Sequence, residues 1–121
     1  DFNTYTLNIL NAKHKPEIVL VEFNGMWPFA QVMGDIDLPE NWAVAQIVST
    51  IDASTFGNYL NNMRSIIFEQ LVDSEMIIFN RCDPQTTKKS FLRSNVRAIN
   101  RAAQIIYECK DGSVNTLPED D

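Results

Sequence analysis

Apolar residues along the chain form short runs that indicate strands. Residues 18–21 and 76–79 are consecutive apolar side chains, Ile-Val-Leu-Val and Met-Ile-Ile-Phe. Such runs are typical of strands that are buried on both faces of a parallel sheet. Two more strands are predicted over residues 42–51 and 104–109. The sequence therefore predicts four strands.

Between the later strands, apolar positions recur every three or four residues, which indicates helices with one face on the sheet. The segments 55–72 and 88–100 have this pattern. The end of a helix is predicted over 4–13, and a short helix is predicted within 26–34. The apolar positions of the two longer helices are Phe56, Tyr59, Leu60, Met63, Ile67, Leu71, Phe91, Leu92, Val96 and Ile99.

The order of these elements predicts an α/β fold, with a mostly parallel sheet and right-handed crossover helices. We expect a single α/β domain over residues 1–121, with a mobile tail over 115–121. Ligands bind such sheets outside the carboxyl ends of the strands. Candidate site residues are therefore sought in the polar segments that follow the strands, at 22–25, 52–54, 80–83 and 108–112.

Composition narrows the class of protein. The chain has 121 residues and a formal net charge of −6, which argues against nucleic acids and anionic membranes as partners because both select basic surfaces. No apolar run approaches the roughly 18 residues that cross a bilayer, and no signal peptide is visible. Cys82 and Cys109 are expected to be free thiols. These features together predict a cytoplasmic protein.

The segment Asn80-Arg81-Cys82-Asp83 follows a predicted strand and carries side chains that can recognise guanine. An aspartate accepts hydrogen bonds from the ring N–H and the exocyclic amine of guanine, and adenine lacks that pair of donors. The asparagine amide can brace the loop, and the long arginine side chain can cover the face of the base. The alternative is an ordinary turn, because Asn and Asp-Pro are common turn formers.

The segment Glu22-Phe23-Asn24-Gly25 also follows a predicted strand. A carboxylate in this place can hold a magnesium ion, directly or through water. A glycine three residues later lets a backbone N–H approach a terminal phosphate. The alternative is a loop with an exposed glutamate.

Four stretches of the chain, in order, resemble the CobW/HypB/UreG family of GTPases, and within it the CobW-like metallochaperones. Residues 17–28 are similar to the family's strand that ends in Glu-Thr-Thr-Gly, and 47–53 to its Val-Val-Asp-Ala strand exit. Residues 69–83 are similar to its Glu-Gln, Ala-Asp, strand and Asn-Lys-x-Asp succession, and 96–100 to its Leu-Arg-x-Leu-Asn segment. The resemblance covers nearly the whole chain and implies a P-loop NTPase-like fold.

The chain also departs from the family's pattern. Arg81 stands where the family has lysine, and Phe23 and Asn24 stand where it has small hydroxyl residues beside the metal and phosphate. The sequence has no Gly-x-x-x-x-Gly-Lys-Ser/Thr loop, which holds the phosphates in P-loop proteins. The resemblance therefore implies the latter part of a GTP-binding domain, and the chain alone is expected not to hydrolyse GTP.

The resemblance implies that the intact protein is a CobW-like GTPase with GTP and magnesium as cofactors. Hydrolysis would be coupled to metal delivery or to maturation of a cofactor enzyme, for a client and a metal that the residues do not identify. Asn80, Arg81 and Asp83 would bind the base, Glu22 would bind the magnesium ion, and Gly25 would sense the terminal phosphate. A homodimer is a further partner to expect, because a second copy would cover an unpaired sheet edge.

Two other functions stay open. Phe23, Asn24 and the absent phosphate loop favour a non-enzymatic interaction module that keeps the fold without turnover. A phosphoacceptor receiver domain would use Asp52, but an earlier strand offers no clear acidic pair to support it.

Overall fold

The fold is that of a computed structural model, which describes residues 2–23 and 29–120. The chain divides into two compact units, Asp1–Ala45 and Gln46–Asp121. None of the described helices has the length and apolar character needed to span a membrane. The elements are α1 Thr4–His14, α2 Phe29–Gly34, β1 Val48–Asp52, α3 Phe56–Asn62, α4 Arg64–Val72, β2 Met76–Cys82, α5 Lys89–Ile99 and β3 Gln104–Cys109.

The second unit is built on a three-stranded parallel sheet in the order β1-β2-β3. The central strand β2 pairs with both neighbours, so that Met76 lies opposite Val48 on one side and opposite Gln104 on the other. Helices α3 and α4 connect β1 to β2, and α5 connects β2 to β3. The prediction of an α/β fold with a mostly parallel sheet and crossover helices is confirmed. Because the strands are parallel, their carboxyl ends meet at one edge of the sheet.

The core of the second unit lies around β2. Ile77 and Phe79 are two residues apart, share one face of the strand and are fully buried. The ring of Phe79 packs edge-on against Phe56 of α3, with 5.1 Å between centroids, and stacks on Tyr107 of β3 at 6.1 Å. Burial of side chains of this size contributes about 1.5–3 kcal/mol each. Packing therefore holds the central strand in place together with its backbone ladder.

The helix predicted over 55–72 is in fact two helices. The chain breaks at Met63, whose backbone (φ −139°, ψ 46°) is not helical. Asn61 and Asn62 precede the break, and asparagine side chains compete with a helix for backbone hydrogen bonds. The apolar period continues through the break, with four buried positions at Phe56, Leu60, Ile67 and Leu71.

The helix predicted over 88–100 is confirmed as α5.

The described part of the first unit contains two helices. Helix α1 begins after Asn3, whose Oδ1 accepts a hydrogen bond from the Thr6 N–H at 2.8 Å. It ends at His14, and the next residue, Lys15, adopts a left-handed conformation with a φ of 44°. The helix predicted over 4–13 is thus confirmed, and α2 confirms the short helix expected before residue 35.

The strand predicted over residues 18–21 is wrong, because these residues form no strand. Ile18 is 80% exposed and Leu20 is 93% exposed. An apolar run becomes a strand only where a neighbour takes up its backbone hydrogen bonds and a covered face buries its side chains. The described residues of the first unit contain no strand that could do so. The strand predicted over 42–51 is also shorter, because its ladder with β2 begins at Val48.

The C-terminal residues contact α5. Leu117 is 4% exposed and belongs to the core. The Glu119 carboxylate lies 3.0 Å from Lys89 Nζ and 3.1 Å from Arg93 Nη1. The mobility expected for 115–121, like the single domain expected over 1–121, stays a prediction.

Asn100, the residue after α5, ties several backbone segments of the second unit together. Its Nδ2 donates to the carbonyls of Leu71 at 2.9 Å and Ser74 at 2.7 Å, near the end of α4. Its Oδ1 accepts from the N–H groups of Ala102 and Ala103, both at 3.0 Å, just before β3. One side chain therefore satisfies backbone groups in the two loops that lead into β2 and β3.

Replacing Asn100 with alanine should lower the free energy of unfolding by about 2–3 kcal/mol, because partly buried backbone groups lose their partners. Asn95→Ala is the matched control. Asn95 Nδ2 bonds the Phe91 carbonyl of its own helix at 2.8 Å, so its loss should change stability by less than about 0.5 kcal/mol. Urea unfolding followed by circular dichroism measures both effects. Equal losses in the two variants would contradict the role given to Asn100.

Candidate functional site

The residues predicted to recognise a base lie at the carboxyl end of the central strand. Asn80 of β2 pairs in register with Asp52 at the end of β1. The pairing of β2 with β3 shifts register around the next residue, Arg81, whose φ is 57°. A left-handed backbone is unfavourable by roughly 1–2 kcal/mol for a residue with a side chain. The irregularity coincides with a side chain that is 71% exposed.

Asp83 is held in a tight loop between β2 and α5. Its Oδ1 accepts from the Gln85 N–H at 2.9 Å, and its own N–H donates to Thr87 Oγ1 at 2.8 Å. Its Oδ2 lies 3.7 Å from Lys110 Nζ, which is beyond hydrogen-bond distance. The loop thus fixes one carboxylate oxygen, while the other keeps its capacity to accept hydrogen bonds.

The Asn80 side chain holds a buried acceptor. Its Oδ1 is buried and has no hydrogen-bond partner in the described part of the chain, whereas its backbone carbonyl accepts from the Ala53 N–H at 3.0 Å. An unpaired buried acceptor is unfavourable by about 1–3 kcal/mol, and native structures contain few of them. Asn80 is not among the residues that line the adjacent cleft, so this oxygen is an unsatisfied group next to the candidate site.

A cleft of about 480 Å³ opens at this edge of the sheet. Its volume falls in the range of roughly 300–1,000 Å³ that small-molecule sites occupy. Three cationic side chains, Arg81, Lys88 and Lys110, line it together with the carboxylate of Asp83. The cleft therefore suits a ligand that carries both anionic groups and N–H donors. The other lining residues are Ala53, Ser54, Gly57, Thr86, Thr87, Phe91 and Leu92.

A carboxylate on the neighbouring strand contacts Arg81. Asp52 Oδ2 lies 3.3 Å from Arg81 Nη1. Asp52 Oδ1 accepts from the N–H of Ser54 at 2.8 Å and from its hydroxyl at 2.5 Å. The hydroxyl hydrogen bond from Ser54, with smaller contributions from its N–H and from Arg81, holds the pKa of Asp52 below its usual range. The carboxylate is therefore charged at neutral pH, and the ion pair joins the ends of β1 and β2.

Comparison with protein families shows which family the chain belongs to. The family model described as CobW/HypB/UreG, nucleotide-binding domain, matches residues 1–107. The chain belongs to this family. The match confirms the resemblance seen in the sequence motifs and is consistent with a partial domain of the P-loop NTPase-like class. Comparisons with curated proteins and with solved structures give no match.

The residues predicted to bind phosphate and metal are separate in the sequence from those predicted to bind the base. Glu22 lies in the first unit and is exposed, and Gly25 lies outside the described residues. Among the residues that the structure describes, no group of three or more His, Cys, Asp or Glu side chains could hold a metal ion. A single carboxylate supplies only one of the several oxygen ligands that magnesium takes. The roles of Glu22 and Gly25 stay predictions.

Two features of the cleft were not predicted from the sequence. Lys110 directly follows β3, and the polar segment 108–112 was the signal that pointed to its place. The contact between Asp52 and Arg81 depends on the register of β1 against β2. The sequence alone does not give that register, because it depends on which residues of two strands that are distant in the sequence lie opposite each other.

Cys82 lies inside the segment predicted to recognise a base, but it is a core residue. It is fully buried, it pairs in register with Cys109, and its thiol contacts the Phe79 carbonyl oxygen at 3.5 Å. Burial, together with neighbouring Cys109, raises the pKa of the Cys82 thiol from 9.0 to about 11. The thiol is therefore neutral at physiological pH and is not a reactive nucleophile.

Stability should fall above pH 9 because of Cys82. The unfolded thiol ionises near 9.0 and the folded thiol near 11. Between these values the unfolded state releases a proton that the folded state keeps, so the free energy of unfolding decreases as the pH rises. Across this window the wild type should lose roughly 2 kcal/mol more than Cys82→Ala. Urea unfolding of both proteins over the range tests this, and parallel pH profiles would contradict it.

Proposed function

We propose that the cleft at the carboxyl end of β2 binds the base of a guanine nucleotide, and that the protein is a GTP-binding member of its family. The proposal rests on the Asp83 carboxylate. One of its oxygens is fixed by Gln85, and the other keeps free acceptor capacity at the wall of the cleft. Membership of a nucleotide-binding family supports it.

The chemistry of guanine matches this wall. Its ring N–H and exocyclic amine donate to a carboxylate, whereas adenine presents an acceptor where guanine has the ring N–H. Asp83 accepts both hydrogen bonds in this proposal, and Asn80 braces the loop that carries it. Arg81 covers the face of the base, since its long stem and planar guanidinium can lie over a ring. Lys110 offsets the charge of Asp83 while the site is empty.

The same proposal assigns the phosphate end of the nucleotide to residues near the start of the chain. Glu22 serves a magnesium ion, directly or through water, and Gly25 lets a backbone N–H approach the terminal phosphate. The bound magnesium would neutralise phosphate charge. In the intact protein, nucleotide binding and hydrolysis would be coupled to metal delivery or to maturation of a cofactor enzyme in the cytoplasm. Family membership and the order of the motifs support this part.

A second function is favoured by the surroundings of Phe23. Its ring packs edge-on against Phe2 at 5.1 Å and against Phe29 at 5.9 Å between centroids. Phe23 directly follows Glu22, so an aromatic cluster stands where the family has a hydroxyl residue beside the metal and phosphate. This observation favours a non-enzymatic interaction module that keeps the fold without turnover. Steady GTP hydrolysis by the intact protein that is lost in Glu22→Ala would exclude the module.

Replacing Asp83 with asparagine should switch base preference. Asn keeps an oxygen for the Gln85 N–H, so the loop is retained, but its amide donates where the carboxylate accepted. Loss of the charge-assisted pair should weaken GDP binding by about 1.5–3 kcal/mol, or roughly 10- to 150-fold. Binding of xanthosine diphosphate should improve, because its carbonyl accepts from the new amide.

Isothermal titration with GDP, ADP and xanthosine diphosphate measures this switch in the intact protein. Asp111→Asn is the matched control. Its carboxylate also sits in a turn after a strand, accepting from the Ser113 N–H at 2.9 Å, and it is not among the residues that line the cleft. The control should bind GDP like the wild type. Unchanged guanine preference in Asp83→Asn would overturn the assignment of the base site.

A further inference from the structure

The backbone of Arg81 is set in an unusual conformation just where its side chain meets the cleft. The residue has a φ of 57° and lies in the register shift between Phe79 and Cys82. Both of these neighbours are fully buried, so the backbone on either side of Arg81 is anchored in the core. The direction in which the arginine leaves the strand is therefore fixed by the fold.

The far end of the side chain is held by a second anchor. Arg81 Nη1 lies 3.3 Å from Asp52 Oδ2. Asp52 is itself held by Ser54, which donates its N–H and its hydroxyl to the other carboxylate oxygen. The side chain of Asp52 is only 25% exposed. An exposed arginine is thus tied at both ends to ordered groups on two adjacent strands.

We propose that Asp52 is a positioning residue that holds Arg81 beside the cleft in the orientation that covers a guanine base. The inference rests on the proposed function of the cleft. Ala53, Ser54 and Arg81 line the cleft, and Asp52 is not among the described residues that do. Asp52 therefore acts through Arg81.

The ion pair between Asp52 and Arg81 should affect nucleotide affinity more than the stability of the fold. A free arginine side chain has many rotamers, and ordering it when a ligand binds lowers the affinity. Asp52 orders it beforehand. An ion pair whose arginine is 71% exposed adds little to the stability of the fold. The pair should therefore be visible in nucleotide binding and nearly silent in unfolding.

A double-mutant cycle on GDP binding tests the proposal in the intact protein. Asp52→Asn keeps an oxygen for Ser54 and removes the charge that holds Arg81. We expect Asp52→Asn and Arg81→Ala each to weaken GDP binding about three- to tenfold. The double variant should bind no more weakly than Arg81→Ala alone, because Asp52 has no effect without the side chain that it positions. The melting temperatures should stay close to that of the wild type.

The outcomes separate this inference from the proposed function. If Arg81→Ala weakens GDP binding and Asp52→Asn does not, Asp52 is not a positioning residue, and the base site stands. The same holds if Asp52→Asn weakens binding equally in the Arg81→Ala background, which indicates a structural effect. If the wild type binds GDP no better than ADP, the proposed function fails, and the inference about Asp52 fails with it.

Discussion

The two parallel ladders of the central strand are the constraint on which the rest of the second unit depends. Residues 76–79 pair with β1 on one side and β3 on the other, and the side chains of Ile77 and Phe79 are fully buried. A strand paired on both edges and packed on the core cannot slip without exposing these groups. The ladders therefore bring the polar ends of three strands, far apart in the sequence, to one edge of the sheet.

The candidate site begins where this regularity stops. Beyond Phe79 the register with β3 shifts, Arg81 takes a left-handed backbone, and Asn80 keeps an unpaired buried oxygen. Each departure is locally unfavourable by about 1–3 kcal/mol. Burial of Phe79 and Cys82 on either side offsets this, since a well-packed core residue contributes a comparable amount. The strained backbone of Arg81 lies at the wall of the cleft, and strained residues that a fold retains cluster at binding sites, which is why we propose the base site there.

The sequence predicted the parts of the fold whose signal is local. The run 76–79 is apolar throughout and ends in a polar motif, and α5 has a regular apolar period, so both were found. The run 18–21 looks the same but forms no strand, because a strand also needs a partner that composition does not reveal. The contact between Asp52 and Arg81 could likewise not be predicted from the sequence, because it depends on the register between two strands. The sequence identified the residues of the candidate base motif, but it did not predict their arrangement in space.

The central claim is that a guanine base sits against the ends of β2 and its two neighbours. Titration of the ¹⁵N-labelled protein with GDP, followed by amide chemical shifts, tests this most directly. The account predicts that the largest shifts fall at Ala53, at residues 80–83 and at Lys110, and that ADP at the same concentration leaves these amides nearly unchanged. Shifts confined to other parts of the chain, or the same shifts with ADP, would contradict it.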